Sequence, residues 1–438
     1  VLGSRGLGDV YKRQGYDISY KKNMFDIRYK SHHDVKEVIN KLLKKKIATP
    51  LAFAKIMNQE PESKEAGIYV HTPYCDKICA FCNMNRKQVD NDLNSYVDYL
   101  CNEFKKYGEK RYVKGKTITS IFFGGGTPTI YKAPQLERIL STLRENFTLS
   151  DDCEFTFETT LHNLTDEKLR IMEKYGVNRI SIGIQTFSNR GRKVLNRTYE
   201  KDEIIKRIKH IKEIFKGLIC IDIIYNYLDE TEEEVEQDAL IAAELGVDSV
   251  SFYSLMIHEG SKISKDLASN KVRFDYEIAR DMKLHEQFLN ITLNRGYSLL
   301  EHTKISNGKD EYKYIKNINS FKDLFAIGVG AGGRVKDLEY YNLNKYITFY
   351  ARDSKLKYEV KKLSGILQYP KVQLNKILEF SGDDAYKEVE KLLKEYEKLG
   401  YIKLYNDCFE YTLTGVFWGN SIDAQIVEKV IEIKLGKR

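Results

Sequence analysis

The sequence predicts an α/β chain built on a partial (βα)6 TIM-like barrel. It also predicts an N-terminal helical segment and a C-terminal, mainly helical, winged-helix-like cap. Three observations carry this. Six short apolar runs rich in Ile, Val, Phe and Tyr recur; amphipathic Lys/Glu-rich stretches alternate with them; and polar, chemistry-bearing residues gather at the C-terminal ends of the runs. Strand-like runs alternating with helical periodicity read as consecutive βαβ units, hence a parallel sheet. Six such units fall short of the eight of a closed barrel, so the barrel is partial.

The elements follow in order. Residues 1–14, V-L-G-S-R-G-L-G-D-V-Y-K-R-Q, look foreign. Asp9–Gln14 reads as the translation of a sequencing-adapter end, the alternative being a disordered natural N-terminus, and the stretch is set aside. Residues 15–65 form a helical, charged segment around "DVKEVINKLLKKKIATPLAFAKIMNQ", broken at Pro50 and punctuated by Pro61. Residues 66–256 hold the six runs: "GIYVHT" (67–72), "ITSIFFGG" (118–125), "CEFTFETT" (153–160), "NRISIGI" (178–184), "LICIDII" (218–224) and "DSVSFYS" (248–254). Residues 257–360 are a core extension, helix-rich and polar at first, with a glycine cluster at "AIGVGAGGRV" (326–335). Residues 361–438 read as helices followed by a small hairpin, the cap. Internal repeats of 20–50 residues and low-complexity linkers are absent from the sequence.

Composition narrows the class. With 438 residues, 42% hydrophobic and 31% charged, the chain has the make-up of a soluble globular protein of two or three domains. The net charge of +8 comes from 71 basic and 63 acidic residues that are well mixed, as on solvated helix faces rather than in a nucleic-acid footprint. No window approaches the roughly 18 apolar residues of a membrane span. Seven cysteines, three of them clustered, suit a metal site in a reducing cytoplasm better than a disulfide framework.

The clustered cysteines are Cys75, Cys79 and Cys82, in H-T-P-Y-C-D-K-I-C-A-F-C-N-M-N (71–85), a C-x3-C-x2-C pattern directly after the first strand. That position is on the barrel face that carries chemistry. Three readings compete. Zinc with His71 as fourth ligand is one, although structural zinc ligands usually come as two separated pairs. Buried inert thiols are another, although Asp76 and Lys77 make the loop polar. The third is a [4Fe–4S] cluster on three thiolates, since full ligation takes four and a deliberate three leaves one iron open. On spacing and position the open cluster is favoured.

Other strand ends point to the same face. "FFGGGTPT" (122–129) follows the second strand, where glycines let the backbone approach a ligand. A tight turn is the plain alternative. Glu158 ends the third strand, Gln185 the fourth, and Asp222 lies in the fifth, each flanked by apolar neighbours. One such residue is usually structural; three around one mouth mark a site.

C-x3-C-x2-C followed by G-G-G-T-P resembles the radical S-adenosylmethionine (SAM) enzymes. I-S-I-G-I-Q-T-F with "NRGRKVLNRTY" narrows the resemblance to the branch like oxygen-independent coproporphyrinogen III oxidase, over about residues 66–345. The resemblance implies that Cys75, Cys79 and Cys82 bind a [4Fe–4S] cluster whose fourth iron takes SAM. It places Tyr69 near the cluster and Gly125, Gly126 and Thr127 along the methionine end of SAM. Glu158, Gln185, Arg197 and Asp222 fall on SAM-contacting positions. The implied chemistry is reductive cleavage of SAM to a 5′-deoxyadenosyl radical, driven by a low-potential donor such as flavodoxin or ferredoxin. His71 is expected to support the loop.

Three functions live in that branch: decarboxylation of coproporphyrinogen, haem delivery by a chaperone, and anaerobic haem opening by a methyltransferase. The decarboxylases carry a further cysteine where this chain has Met84. The chaperones carry H-N-x-x-Y-W where this chain has "DEYKYIKNINSFKDLFAIGVG" (310–330), without histidine or tryptophan. G-V-G-A-G-G-R (328–334) and "LTGVFWGN" (413–420), with the chain's single tryptophan Trp418, resemble the haem degraders, the anaerobilin synthases. A structural turn and a core packing pair are the plain alternatives. The expectation is a cytoplasmic enzyme that takes haem or a related porphyrin, with neither nucleic acid nor membrane as partner. Arg86, Lys87 or Arg334 could meet propionates, and His258 or His302 could be an axial ligand, although each residue is ordinary enough to be structural.

Overall fold

The computed structural model describes residues 24–25, 27–82, 87–89 and 93–436. The expectations for residues 1–14, Met84 and Arg86 lie outside these.

All six expected strands are present: β1 (Glu65–Thr72), β2 (Thr117–Gly125), β3 (Leu149–Thr159), β4 (Arg179–Gln185), β5 (Leu218–Tyr225) and β6 (Ser249–Ser254). They pair in that order, every pair parallel. Helices Asn94–Gly108, Ala133–Asn146, Asp166–Lys174, Lys201–Ile214 and Glu232–Leu245 make the crossovers. Their ends are written in the sequence. Thr165 and Thr231 cap helix N-termini with their hydroxyls, and Gly246 closes a C-terminus in the left-handed conformation at φ 58°.

The sheet is wider than the sequence pattern indicates. A seventh parallel strand, β7 (Asp323–Ile327), pairs with the free edge of β1. The chain then turns back through β8 (Gly332–Val335), β9 (Leu338–Asn342) and β10 (Thr348–Arg352), all antiparallel. The glycine cluster is therefore the end of one strand, a turn and the start of the next. The N-terminal segment contains helices His32–Leu42 and Pro50–Met57 but also a two-residue strand, Lys46–Ile47, that pairs with β10. At the other edge, Lys304–Ser306 runs antiparallel to β6.

The core lies between the sheet and its crossover helices. Phe123 and Phe157 stack at 4.2 Å on neighbouring strands, with Phe155 beside them. Each such ring contributes about 1.5–3 kcal/mol by leaving water. Inside the barrel, at the N-terminal ends of the strands, Arg179 makes a two-pronged pair with Asp310 at 2.8 and 3.1 Å. Tyr312 lies against the same guanidinium, 4.5 Å from ring centre, and Tyr314 stacks on Phe122 at 4.4 Å. Residues 310–314 thus plug the barrel floor.

The C-terminal part has helices Lys355–Leu367, Leu374–Ser381 and Asp383–Lys398, with strand Lys371–Gln373 between the first two and strands Ile402–Leu404 and Cys408–Tyr411 after the third, the strands forming one three-stranded sheet. Helix Leu413–Lys434 runs back into the core. Phe417 and Trp418 are buried there, edge to face at 5.2 Å, with Phe25 5.4 Å from the indole. They are a packing pair. Beside them Arg28 pairs with the fully buried Asp281, joining the N-terminal segment to helix Ile278–Leu293.

Candidate active site at the strand ends

The three cysteines sit where β1 runs out. Tyr74–Cys75 pairs with Lys87–Gln88, so the loop returns to its own start. The loop is clamped from the far side: Ala80 donates to the Leu195 carbonyl at 3.1 Å and the Asn196 side chain to the Ile78 carbonyl at 2.7 Å. Asp76 accepts from His162 at 2.5 Å and from Asn163 at 3.2 Å. Burial alone would raise the Asp76 carboxyl, but those donors outweigh it and hold it below the usual range.

Two nearby groups address sulfurs. The Thr127 hydroxyl donates to Cys75 Sγ at 3.6 Å, and Arg197 donates to Cys79 Sγ at 2.9 Å. A second Arg197 nitrogen donates to the Gly183 carbonyl on β4. Arg197 is in turn placed by Arg192, whose buried guanidinium donates to the carbonyls of Ile184, Thr186, Thr198 and Tyr199. Sequence reasoning did not single out Arg192. A second arginine within "NRGRKVLNRTY" was the available signal.

Glycines are required here by close approach. Gly125 has φ +112°, and a Cβ on it would lie 2.6 Å from the His71 ring. A Cβ on Gly126 would lie 2.4 Å from the Tyr74 carbonyl oxygen. Gly125 N–H donates to Glu158 at 3.1 Å. Burial, then the charge of Asp222, push the Glu158 carboxyl up to about 8 against that hydrogen bond. Ser181 donates to Asp222 at 3.5 Å. Gln185 is held at φ +75°, a strained conformation for a side-chain-bearing residue at the end of a strand. Tyr69 bonds His71 Nδ1 at 2.8 Å. Its phenol is raised well above the usual range by burial, then by Glu158, Tyr314 and Tyr341.

The structure thus gathers Tyr69, Cys75, Cys79, Gly125, Gly126, Thr127, Glu158, Gln185, Arg197 and Asp222 around one mouth, with Cys82 N–H bonded to the Cys79 carbonyl. Other residues fall elsewhere. Lys87 is exposed, and Arg334 lies 4.0 Å over the Phe321 ring while donating to the Ile318 and Lys322 carbonyls. His302 is buried beside Tyr411, bonded to the Leu367 carbonyl, in the packing of the cap rather than at the mouth. His258 is partly buried after β6.

The donor set fits a cluster on three thiolates. None of the seven cysteines is in a disulfide, and Cys101, Cys153, Cys220 and Cys408 are buried in other elements. Burial pushes the thiols of Cys153 and Cys220 up to about 12, as for inert packing cysteines. Among the described residues no three His, Cys, Asp or Glu side chains form a site for a single ion. A polynuclear cluster spreads its ligands over several irons and does not demand that convergence. Among the described residues no helix is long and apolar enough to cross a membrane.

Comparison with known proteins agrees with this geometry. Residues 69–242 match the Radical SAM superfamily. The chain is similar to the heme chaperone HemW of Lactococcus lactis, 29% identical over 66% of this chain and 73% of the relative. It is similar to the anaerobilin synthase of Escherichia coli O157:H7, 24% identical over 87% of this chain and 88% of the relative. In fold it is similar to the Escherichia coli coproporphyrinogen III oxidase HemN, a radical SAM enzyme, with TM-score 0.74 and 20% identity over 88% and 94% of the two chains. A [4Fe–4S] cluster and SAM are the cofactors of this superfamily. Residues 69–242 thus carry a radical SAM domain, and the chain is similar in sequence to the HemW chaperone and anaerobilin synthase and in fold to coproporphyrinogen III oxidase.

Proposed function

We propose that this protein is a cytoplasmic enzyme of anaerobic haem degradation, using SAM as radical source and methyl donor to open the porphyrin to a linear tetrapyrrole with release of iron. The observation that carries this choice within the branch is the stretch 310–321. Where the chaperones have H-N-x-x-Y-W, this chain spends Asp310, Tyr312 and Tyr314 on closing the barrel floor. The similarity to anaerobilin synthase across 87% of the chain supports the same reading. Oxygen-independent coproporphyrinogen III oxidase or haem chaperone activity is the alternative.

Cys75, Cys79 and Cys82 would hold the cluster, and Tyr69, Gly125, Gly126, Thr127, Glu158, Gln185, Arg197 and Asp222 would border SAM. When bound, a reduced cluster and SAM supply a carbon radical by cleavage of a sulfonium C–S bond. This chain's residues prepare the place. The 124–126 glycines open the strand end, Arg197 ties Cys79 to β4, and Glu158 keeps a proton near neutral pH. A flavodoxin- or ferredoxin-like protein would deliver the electron. We also propose functional parts at 15–65, 66–256, 257–360 and 361–438.

The test is anaerobic reconstitution with iron and sulfide, then SAM, reductant and haem, following the Soret band and product masses. Loss of the band with a methylated linear tetrapyrrole, abolished in Cys79→Ala, is expected. An intact Soret band despite SAM cleavage would overturn the proposal in favour of a carrier, and decarboxylated coproporphyrinogen would favour the oxidase.

A further inference from the structure

The inner face of the sheet continues past the barrel mouth onto β7–β10. Strand neighbours share a face, so the pairs can be followed outward: Phe122 lies beside Tyr69, Tyr69 beside Ala326, Gly332 beside Tyr341, and Tyr341 beside Phe349. The Leu324–Arg334 pair sets Ala326 opposite Gly332 and completes the row. Tyr341 is among the groups that raise the Tyr69 phenol, in keeping with side chains on one face. The opposite face of the hairpin is covered, with Phe53 packed on Tyr340 at 5.0 Å and Tyr350 at 5.3 Å. The inner face is open: Gly332 and Tyr341 are exposed, and Phe349 is 60% exposed.

Gly332 is a glycine the fold does not require. Its φ is not in the left-handed region, and an added Cβ would meet nothing nearer than 3.6 Å, the ring of Tyr341. Gly332 opens β8, where the missing side chain lets another group approach the backbone closely. Here the bare backbone forms a floor, with Tyr341 and Phe349 continuing it as an aromatic surface.

One edge of this floor is cationic. Two residues further along β8 and β9 stand Arg334 and Glu339, paired with each other. Lys45 and Lys361 both bond Glu339, Lys361 also bonds Asp353 at 2.5 Å, and Lys36 faces the same group. With Lys357, five cations, Arg334, Lys36, Lys45, Lys357 and Lys361, stand against Glu339, Asp353 and Asp323, and among the described residues Lys36 has no salt bridge. Lys36 is exposed on helix His32–Leu42.

We propose that this platform is the seat of the substrate: a flat, apolar macrocycle bearing carboxylates lies on Gly332, Tyr341 and Phe349, with its carboxylates toward Lys36, Lys45 and Lys361. The row from Tyr69 to Phe349 spans four strand spacings, about 19 Å, enough for such a ring beside the mouth. Apolar floor and cationic rim together match one ligand chemistry, a tetrapyrrole carboxylate. The proposal rests on the haem-degrading reading for its substrate class, but its test is separate.

The probe is metal-free protoporphyrin IX, titrated by fluorescence into the reconstituted full chain with SAM and reductant omitted, so that no turnover occurs. Gly332→Leu and Phe349→Ser are each expected to weaken binding about tenfold, equivalent to roughly 1.4 kcal/mol, without lowering the cluster absorbance. Lys36→Glu with Lys45→Glu should weaken binding further and remove its salt sensitivity. Tyr346→Ser, at the exposed tip of the hairpin, should leave it unchanged. Wild-type affinity in both Gly332→Leu and Phe349→Ser, at unchanged melting temperature, would overturn the platform. If light scattering shows a wild-type dimer that Phe349→Ser dissociates with porphyrin binding intact, the face is a subunit contact and the proposal fails. Porphyrin binding lost in Gly332→Leu while wild-type protein leaves haem intact would keep the platform and reject the degrading reading. Equal haem opening by wild type and Gly332→Leu would do the reverse.

Discussion

Arg197 bridges Cys79 and Gly183: one guanidinium nitrogen donates to the thiol at 2.9 Å and the other to the strand carbonyl. The cysteine loop and the end of β4 are thereby held by one planar group. Groups that orient a ligand sulfur without binding the metal typically matter by about 10–100-fold. Arg197→Gln is expected to keep the four-iron cluster but slow 5′-deoxyadenosine formation by about that factor, and to change the electron paramagnetic signal of the reduced cluster. An unchanged rate and spectrum would show that the contact is incidental.

Only the loop cysteines should matter for iron. Cys75→Ala, Cys79→Ala and Cys82→Ala are each expected to lose most bound iron and sulfide after reconstitution, whereas Cys101→Ser keeps both. Iron and sulfide assays on the purified variants check this, and a full complement in any loop variant would remove that cysteine from the ligand set.

Glu158 gives stability a defined pH slope. Its carboxyl is pushed from 4.5 up to about 8 by burial and then Asp222, so the folded chain holds a proton that the unfolded chain has released between those values. The unfolded state binds fewer protons there, and stability falls as pH rises. In the cluster-free protein, Glu158→Gln should therefore show a shallower fall in melting temperature from pH 5 to about pH 8. Parallel curves for the two proteins would place Glu158 in the ordinary carboxyl range.

The Arg28–Asp281 pair joins segments 253 residues apart, with the Asp281 side chain fully buried. Removing Arg28 leaves the buried carboxylate with Lys30 at 3.9 Å and the Tyr276 hydroxyl at 2.6 Å, so the cost is at most about 3–5 kcal/mol, that of a broken buried pair. Arg28→Ala should lose up to that much in urea unfolding, and Arg28→Met with Asp281→Leu should recover much of it. A loss below about 1 kcal/mol in the single variant would show that Lys30 replaces Arg28 as the partner of Asp281.

Much of this was legible beforehand. Each of the six barrel strands carries its own β-branched and aromatic signal, and Glu158, Gln185 and Asp222 could be placed on strand ends from the runs alone. β7 escaped because "DLFAI" is short and precedes a glycine cluster that reads as a loop; it becomes a strand by pairing with β1. Trp418 drew attention as the chain's single tryptophan, yet it packs against Phe25 and Phe417, a role no sequence pattern separates from binding. Arg192 and Asp310 act through carbonyls and partners far from their own neighbours in the chain.

What the sequence by itself determined, then, is what short-range physics encodes: strand and helix periods, caps, and the spacing of three thiolates on one loop. Only the tertiary structure decided that Arg197 reaches a sulfur 118 residues away, that β7 extends the sheet, and that Gly332, Tyr341 and Phe349 form one open surface continuous with Tyr69. Those relationships depend on which strand edges meet and in what register. That outcome is set by burial of the whole core, and no local stretch of the chain carries it.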